Sequence, residues 1–247
     1  MTGKVKKLLK VIGIILLFLI SITVLYSIIF CNPQLLFKYK VVNENLTLYS
    51  DEPIPMNAMN ILEEVQAKLS KSEVYKPEIS YKIFVCNEMN KFKLFSLSRN
   101  KEIGGFCKPY LSSNVFISKS NIESNRILSS YGYEIQGART LAYVIAHELT
   151  HVILKGKAGT IAALQLPAWI NEGYSEYIAQ KDFNYDKTLD LLKSGKLAEG
   201  PVFMAYYYDK YHLLMSYLLD RKKVSIEEIL SGKFKSFEVE KELLNTR

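Results

Sequence analysis

The residues best suited to chemistry fall in one short stretch. His147-Glu148-Leu149-Thr150-His151 sets two histidines four residues apart with a glutamate between them. On a helix, side chains at i and i+4 stand one above the other with Cβ atoms about 5–6 Å apart. Both imidazoles then reach one ion at the roughly 2.0–2.1 Å that zinc–nitrogen bonds require. Glu148 is rotated about 100° from His147, which keeps it out of the ligand set but close enough to take a proton from a water at the metal. The pattern arises by chance in roughly one chain in a hundred of this length, and here it takes two of only three histidines. The flanking Leu141, Val144, Ile145, Val152 and Ile153 require a mostly buried helix. Unpartnered imidazoles there carry a desolvation cost that a metal removes; two hydrogen-bonded core histidines are the alternative.

A catalytic zinc site takes three protein ligands and leaves one position open. Glu172 follows His151 by 21 positions, a gap that fits a helix end, a turn and a second helix returning beside the first. Glu176 lies one turn further on the same face, placed to accept the free N–H of a ligating imidazole. Trp169, the only tryptophan, is expected in the core beneath the site. Without the upstream histidines, both glutamates would read as an exposed helical face.

Taken together, His147-Glu148-x-x-His151 and Leu166-Pro-x-Trp169-Ile-Asn171-Glu172-Gly173 resemble the H-E-x-x-H and W-[LI]-N-E-G pair of the gluzincin metallopeptidases, especially the minimal peptidase MA-like domains. The resemblance covers residues 80–220 or so and is carried by some fifteen positions. It implies one zinc ion held by His147, His151 and Glu172, with Glu148 as base and with Asn171 and Glu176 behind the ligands. The implied fold is thermolysin-like, with the metal between a small mixed sheet and a helical half. The related one-domain aminopeptidases stabilise the oxyanion with a tyrosine from a Y-x-K-G stretch. Tyr208-Asp-Lys210-Tyr211 is similar except for Tyr211 in place of the glycine, making Tyr208 the candidate, with Tyr206 and Tyr207 one or two positions away. His212 is a second candidate donor, with packing as its plainer role. The aminopeptidases also bind the substrate amine through a G-x-M-E-N edge strand. The region Gly104-Gly-Phe-Cys-Lys-Pro-Tyr110 lacks that acidic anchor, and an edge strand that aligns substrate by backbone hydrogen bonds alone carries no end preference.

The elements that must position these residues read as strands first and helices second. Leu36–Val42 and Leu46–Tyr49 lean towards strand, Ala58–Leu69 is an amphipathic helix, and Tyr81–Cys86 and Asn114–Ser118 read as strands. Gly104-Gly105 marks a turn or a close backbone approach. Helices are expected over Thr140–Leu154, Pro167–Gln180 and Val202–Leu219, with a last short one opened by the capping box Ser225-Ile-Glu-Glu228. This order predicts an α+β domain.

Ahead of that domain, Val11–Cys31 runs 21 residues without an ionisable acid or base, about 30 Å of helix and a bilayer's thickness. A signal peptide has an apolar region of about 7–15 residues and a small-x-small cleavage site, neither of which fits, and the bulky Phe30 before Cys31 disfavours a lipoprotein signal. The expected organisation is a cytoplasmic basic tail over 1–10, a transmembrane anchor over 11–31 and an extracytoplasmic peptidase MA-like domain over 32–247. Of the net charge of +7, Lys4, Lys6, Lys7 and Lys10 supply +4, leaving an ordinary +3 for the remainder. That distribution keeps the N-terminus in the cytoplasm and gives no basis for nucleic-acid binding. Cys86 and Cys107 fall in the exported part, where a disulfide and two free thiols are both open. The expected protein is a single-pass zinc metallopeptidase whose partners are the cell membrane and a peptide or protein substrate; an anchored, inactive module of the same fold is the alternative.

Overall fold

The computed structural model describes residues 3–97, 103–199 and 203–245, with the side chains of 5, 6, 198, 199 and 203–206 outside that description. An apolar helix, α1 (Gly3–Cys31), leads into strands β1 (Tyr39–Asn43) and β2 (Leu46–Ser50), helix α2 (Ala58–Leu69), β3 (Tyr81–Val85), α3 (Met89–Ser96), β4 (Gly105–Cys107) and β5 (Asn114–Ile117). A two-stranded ribbon, β6 (Ser120–Asn121) with β7 (Arg126–Ile127), precedes a helical half. Its members are α4 (Leu141–Ala158), α5 (Thr160–Gln165), α6 (Ala168–Ala179), α7 (Tyr185–Lys193), α8 (Phe203–Ser216), α9 (Ile226–Leu230) and α10 (Ser236–Leu244). The chain is therefore α+β, a small mixed sheet followed by helices, with one N-terminal helix long and apolar enough to cross a membrane.

The main sheet has the order β1-β2-β3-β5-β4, parallel through its centre and antiparallel at both edges. Strand side chains alternate between faces, and the alternation separates two cores. Leu46, Leu48, Ile83, Val85, Val115 and Ile117 point to the face covered by α2 and α4. On the other face, Tyr49, Phe84, Phe116 and Phe106 stand in register on four neighbouring strands and stack with centroids 4.9, 5.3 and 5.2 Å apart. Phe37 and Phe95 pack on this ladder, and so does Phe30 from the end of α1. The 11–31 segment is thus a continuous helix whose last residues, from Tyr26, lie against the domain.

Helix α4 forms where expected and is enclosed on most sides by the sheet, α2 and α6. Thr140 caps it by accepting from the Tyr143 N–H, and the Asn125 side chain accepts from the Ala142 N–H. Lys68 of α2 donates its ammonium to the Ala179 carbonyl, at the last turn of α6. Helix α8 begins in the described residues at Phe203, so the expected start at Val202 lies outside them, and it widens into a π-helical turn over Tyr217–Arg221. Ser225 caps α9 by accepting from the Glu228 N–H. Cys86 belongs to the aromatic face and Cys107 packs on the opposite one. Both are free thiols, so the disulfide does not form.

Gly173 sets the spacing between α6 and α8. A Cβ there would come within 2.6 Å of the Tyr211 carbonyl oxygen and 3.2 Å of the Tyr211 Cβ. Gly173→Ala should push α8 away and destabilise the protein by about 1–3 kcal/mol, read as a lowered denaturation midpoint; unchanged stability would contradict this contact.

Candidate metal centre

Helices α4 and α6 bring three ligand types to one point. Among the described residues, His147, His151 and Glu172 offer donor atoms that all lie within 4.8 Å of one another. Glu172 Oε2 is 3.3 Å from His147 Nε2 and 3.7 Å from His151 Nε2. A tetrahedral ion with bonds of about 2.0–2.2 Å separates its ligands by about 3.3–3.6 Å, and both glutamate–histidine separations lie at or close to that range.

The far side of the His151 ring fixes its tautomer. His151 Nδ1 lies 3.0 Å from Asn171 Oδ1 and 3.1 Å from Ser175 Oγ. Ser175 gives its own proton to the Asn171 carbonyl, so its oxygen is left to accept, and Nδ1 of His151 carries the hydrogen. His147 Nδ1 lies 3.2 Å from Glu176 Oε1, close in charge terms but without a well-aligned hydrogen bond. The same carboxylate oxygen accepts from the Tyr143 hydroxyl at 2.5 Å. His151 therefore turns Nε2, with its lone pair, toward Glu172, whereas His147 Nε2 faces the same carboxylate at 3.3 Å and is free to ligate once the ring gives up its extra proton.

The electrostatics also call for a cation. Burial by itself would lower the pKa of His147, yet Glu172 and Glu176 outweigh it and push the imidazole up to about 10. Burial opposes ionisation of Glu172 and Glu176 too, but the histidines around them hold both below the usual carboxylate range, with Tyr143 and Arg139 assisting at Glu176. A bound divalent ion supplies the charge that His147 otherwise supplies by holding a proton.

Around this centre, Glu148 faces the edge strand. A Cβ on Gly105 would come within 3.1 Å of the Glu148 Cγ and 2.9 Å of Val144, so the β4 backbone passes directly over the glutamate. The close approach expected at Gly104-Gly105 is this one. Cys107 sits beside the same carboxylate: burial first, then Glu148, holds its thiol well above the ordinary range.

The Tyr208 ring meets the His147 ring edge-on at 6.0 Å, and the Arg139 guanidinium lies 4.8 Å from the centre of the Tyr208 ring. Burial, followed by the nearby Glu172 carboxylate, pushes its hydroxyl up to about 12. Tyr207 packs instead against Tyr211, and the Tyr206 side chain lies outside the described residues. His212 stacks on Phe183 at 3.7 Å with its Nδ1 3.1 Å from Gln180 Oε1. It lines a cavity of about 450 Å³ with Lys71, Tyr177 and Asp220, and none of the three ligands lines that cavity. Trp169 is buried in the core as expected. Ser175, Tyr143 and Arg139 were not anticipated, although Tyr143 precedes His147 by one helical turn and Ser175 follows Asn171 by one.

Titration of the metal-free protein with zinc should show one tight equivalent, lost in His151→Ala and in Glu172→Ala. Because His147 holds a proton at neutral pH, binding must expel it. Calorimetry in buffers of different ionisation enthalpy should read about one proton released at pH 7, and affinity should rise about tenfold per pH unit near neutrality. Wild-type affinity in both variants would contradict the ligand set.

No protein-family model matches the chain, and no curated protein is significantly similar to it.

Proposed function

We propose that the chain is a membrane-anchored zinc metallopeptidase of the gluzincin kind, with a thermolysin-like arrangement of sheet and helices and its domain outside the cytoplasm. The observation that carries this reading is the convergence of His147, His151 and Glu172 beside a carboxylate, Glu148, that stands next to the ligands without joining them. A structural site would use four protein ligands and needs no base.

Zinc held by these residues would polarise the scissile carbonyl and acidify the attacking water. Glu148 takes the proton of that water and delivers it to the leaving amine. Tyr208, protonated at neutral pH as any phenol is, donates a hydrogen bond to the oxygen as negative charge develops there. Asn171 and Ser175 hold the His151 ring, Glu176 and Tyr143 hold His147, and Arg139 packs on Tyr208. Strand β4 pairs on one side only among the described residues, so its other edge, passing over Glu148, offers backbone groups to an extended peptide.

Retention of α1 is supported by Phe30, whose ring is fully buried in the aromatic core. Cleavage before the domain would remove that ring and leave a cavity, at a cost of about 3–5 kcal/mol. The lysines preceding the apolar stretch favour a cytoplasmic N-terminus.

Glu148→Gln should retain zinc and lose about 10²–10⁴-fold in peptide hydrolysis, since the amide is similar in shape but cannot take the proton. Tyr208→Phe should lower kcat about 10²–10³-fold with KM and zinc content unchanged. A mixed-peptide cleavage screen of the zinc-loaded wild type checks the activity itself; metal binding with no turnover on any peptide would replace this reading with an inactive anchored module.

A further inference from the structure

The junction between α1 and the domain is built without a linker. The Tyr26 hydroxyl donates to the Phe95 carbonyl at 3.1 Å, 69 residues away. The Asn114 amide donates to the carbonyls of Phe30 at 3.0 Å and Cys31 at 3.2 Å. The Lys108 ammonium, bonded to the Phe95 carbonyl, lies 5.2 Å over the Phe30 ring. The helix therefore enters the folded domain as a rigid strut.

That docking shortens what is left for the bilayer. Among the described side chains of α1, exposure is continuous up to Leu25 and falls from Tyr26 onward. The uncharged part free of the domain is Val11–Leu25, 15 residues, which as helix spans about 22 Å. The hydrocarbon core is about 30 Å thick. Roughly 8 Å must be made up at the ends of the helix.

Apolar side chains stand where the shortfall falls. Ile28 is 56% exposed on the docked part of α1, Leu35 is 96% exposed four residues beyond its end, and Leu36 is 40% exposed beside it. On the neighbouring loop, Tyr110 and Leu111 are 51% and 41% exposed, and the Leu111 carbonyl lies 3.5 Å from Cys31 Sγ. Single exposed leucines elsewhere on a surface carry no message. These surround the point where a membrane-spanning helix leaves the domain, and a tyrosine among them suits the bilayer interface.

We propose that Ile28, Leu35, Leu36, Tyr110 and Leu111 form a collar seated in the lipid bilayer, so that the domain is partly embedded and held at a fixed attitude to the membrane. This rests on the reading of α1 as a retained span. An interfacial burial of about 5–10 Å is the usual depth for apolar side chains at the headgroup boundary, and it closes the shortfall. The aromatic face of the sheet lies on the collar side and the candidate metal centre on the opposite face. Strand β4 joins the two, with Phe106 in the aromatic ladder and Gly105 over Glu148. The attitude of the cleft is therefore set by the anchor.

The test uses the full chain in liposomes with lipids brominated either just below the headgroup or near the acyl-chain ends. Trp169, buried in the core, gives the baseline emission, and one tryptophan is added at a time: Leu35→Trp, Leu111→Trp, Leu16→Trp within α1, and Ile161→Trp on the helical half. The collar predicts loss of the added emission at positions 35 and 111 with the shallow bromines, loss at position 16 with the deep ones, and none at position 161. Quenching at position 16 with positions 35 and 111 behaving like position 161 would overturn the collar and leave the anchor standing. No quenching at position 16 would overturn the anchor and the collar together. Positions 35 and 111 shielded from both bromolipid and aqueous iodide would assign the surface to a protein partner or a second copy, and not to lipid.

Discussion

Everything at the candidate centre depends on one electrostatic constraint: two imidazoles and two carboxylates share the buried seam between α4 and α6, with a third carboxylate alongside. A charge in such a place is tolerated only when it is paired and hydrogen-bonded. The seam pairs every charge, and hydrogen-bonds all but His147 Nδ1, which has Glu176 at 3.2 Å without an aligned bond. Asn171 and Ser175 face His151, Glu176 faces His147, Tyr143 donates to Glu176, and Glu172 lies between the two Nε2 atoms. What the protein alone supplies is short of positive charge, and the proton held by His147 marks the shortage. Gly173 serves the same seam from behind, letting α8 approach until Tyr208 lies against His147.

The sheet keeps two tasks apart. One face supports α2 and α4, and through them the ligands; the other carries the ladder of Tyr49, Phe84, Phe116 and Phe106, onto which the end of α1 docks. The alternation of side chains along each strand turns a short strand such as β4 into a joint between the anchor side and the chemistry side. A displacement of Phe106 within the ladder would be felt at Gly105 and therefore at Glu148.

Much of this was legible in the residues. Glu172 was legible from its 21-position gap to His151 and from the resemblance to the W-[LI]-N-E-G stretch, and the two histidines because helical spacing is rigid: i and i+4 must share a face. The bounds of Ala58–Leu69 followed for the same reason, from Ile61, Leu62, Val65 and Leu69. What escaped was set by tertiary contact. Strand β4 is three residues long and exists because it pairs with β5. Leu36 belongs to a short helical turn before β1, since Pro33 opens it and Phe37 turns inward. Helix α3 carries only two buried residues, Phe92 and Phe95, too few for a period to show. Composition could locate the apolar stretch 11–31 but not its last residues in the domain, because Phe30 is as apolar in lipid as in a core. Ser175 and Arg139 act through partners far away in sequence, Ser175 on His151 and Arg139 on Tyr208.

The most direct measurement is X-ray absorption at the zinc edge of the purified full-length protein. The geometry predicts a shell of nitrogen and oxygen at about 2.0–2.1 Å, with multiple-scattering features of two imidazoles and no sulfur. The free thiol of Cys107 beside Glu148 makes the opposite result concrete: a zinc–sulfur distance of about 2.3 Å, or fewer than two imidazoles, would contradict a centre built from His147, His151 and Glu172.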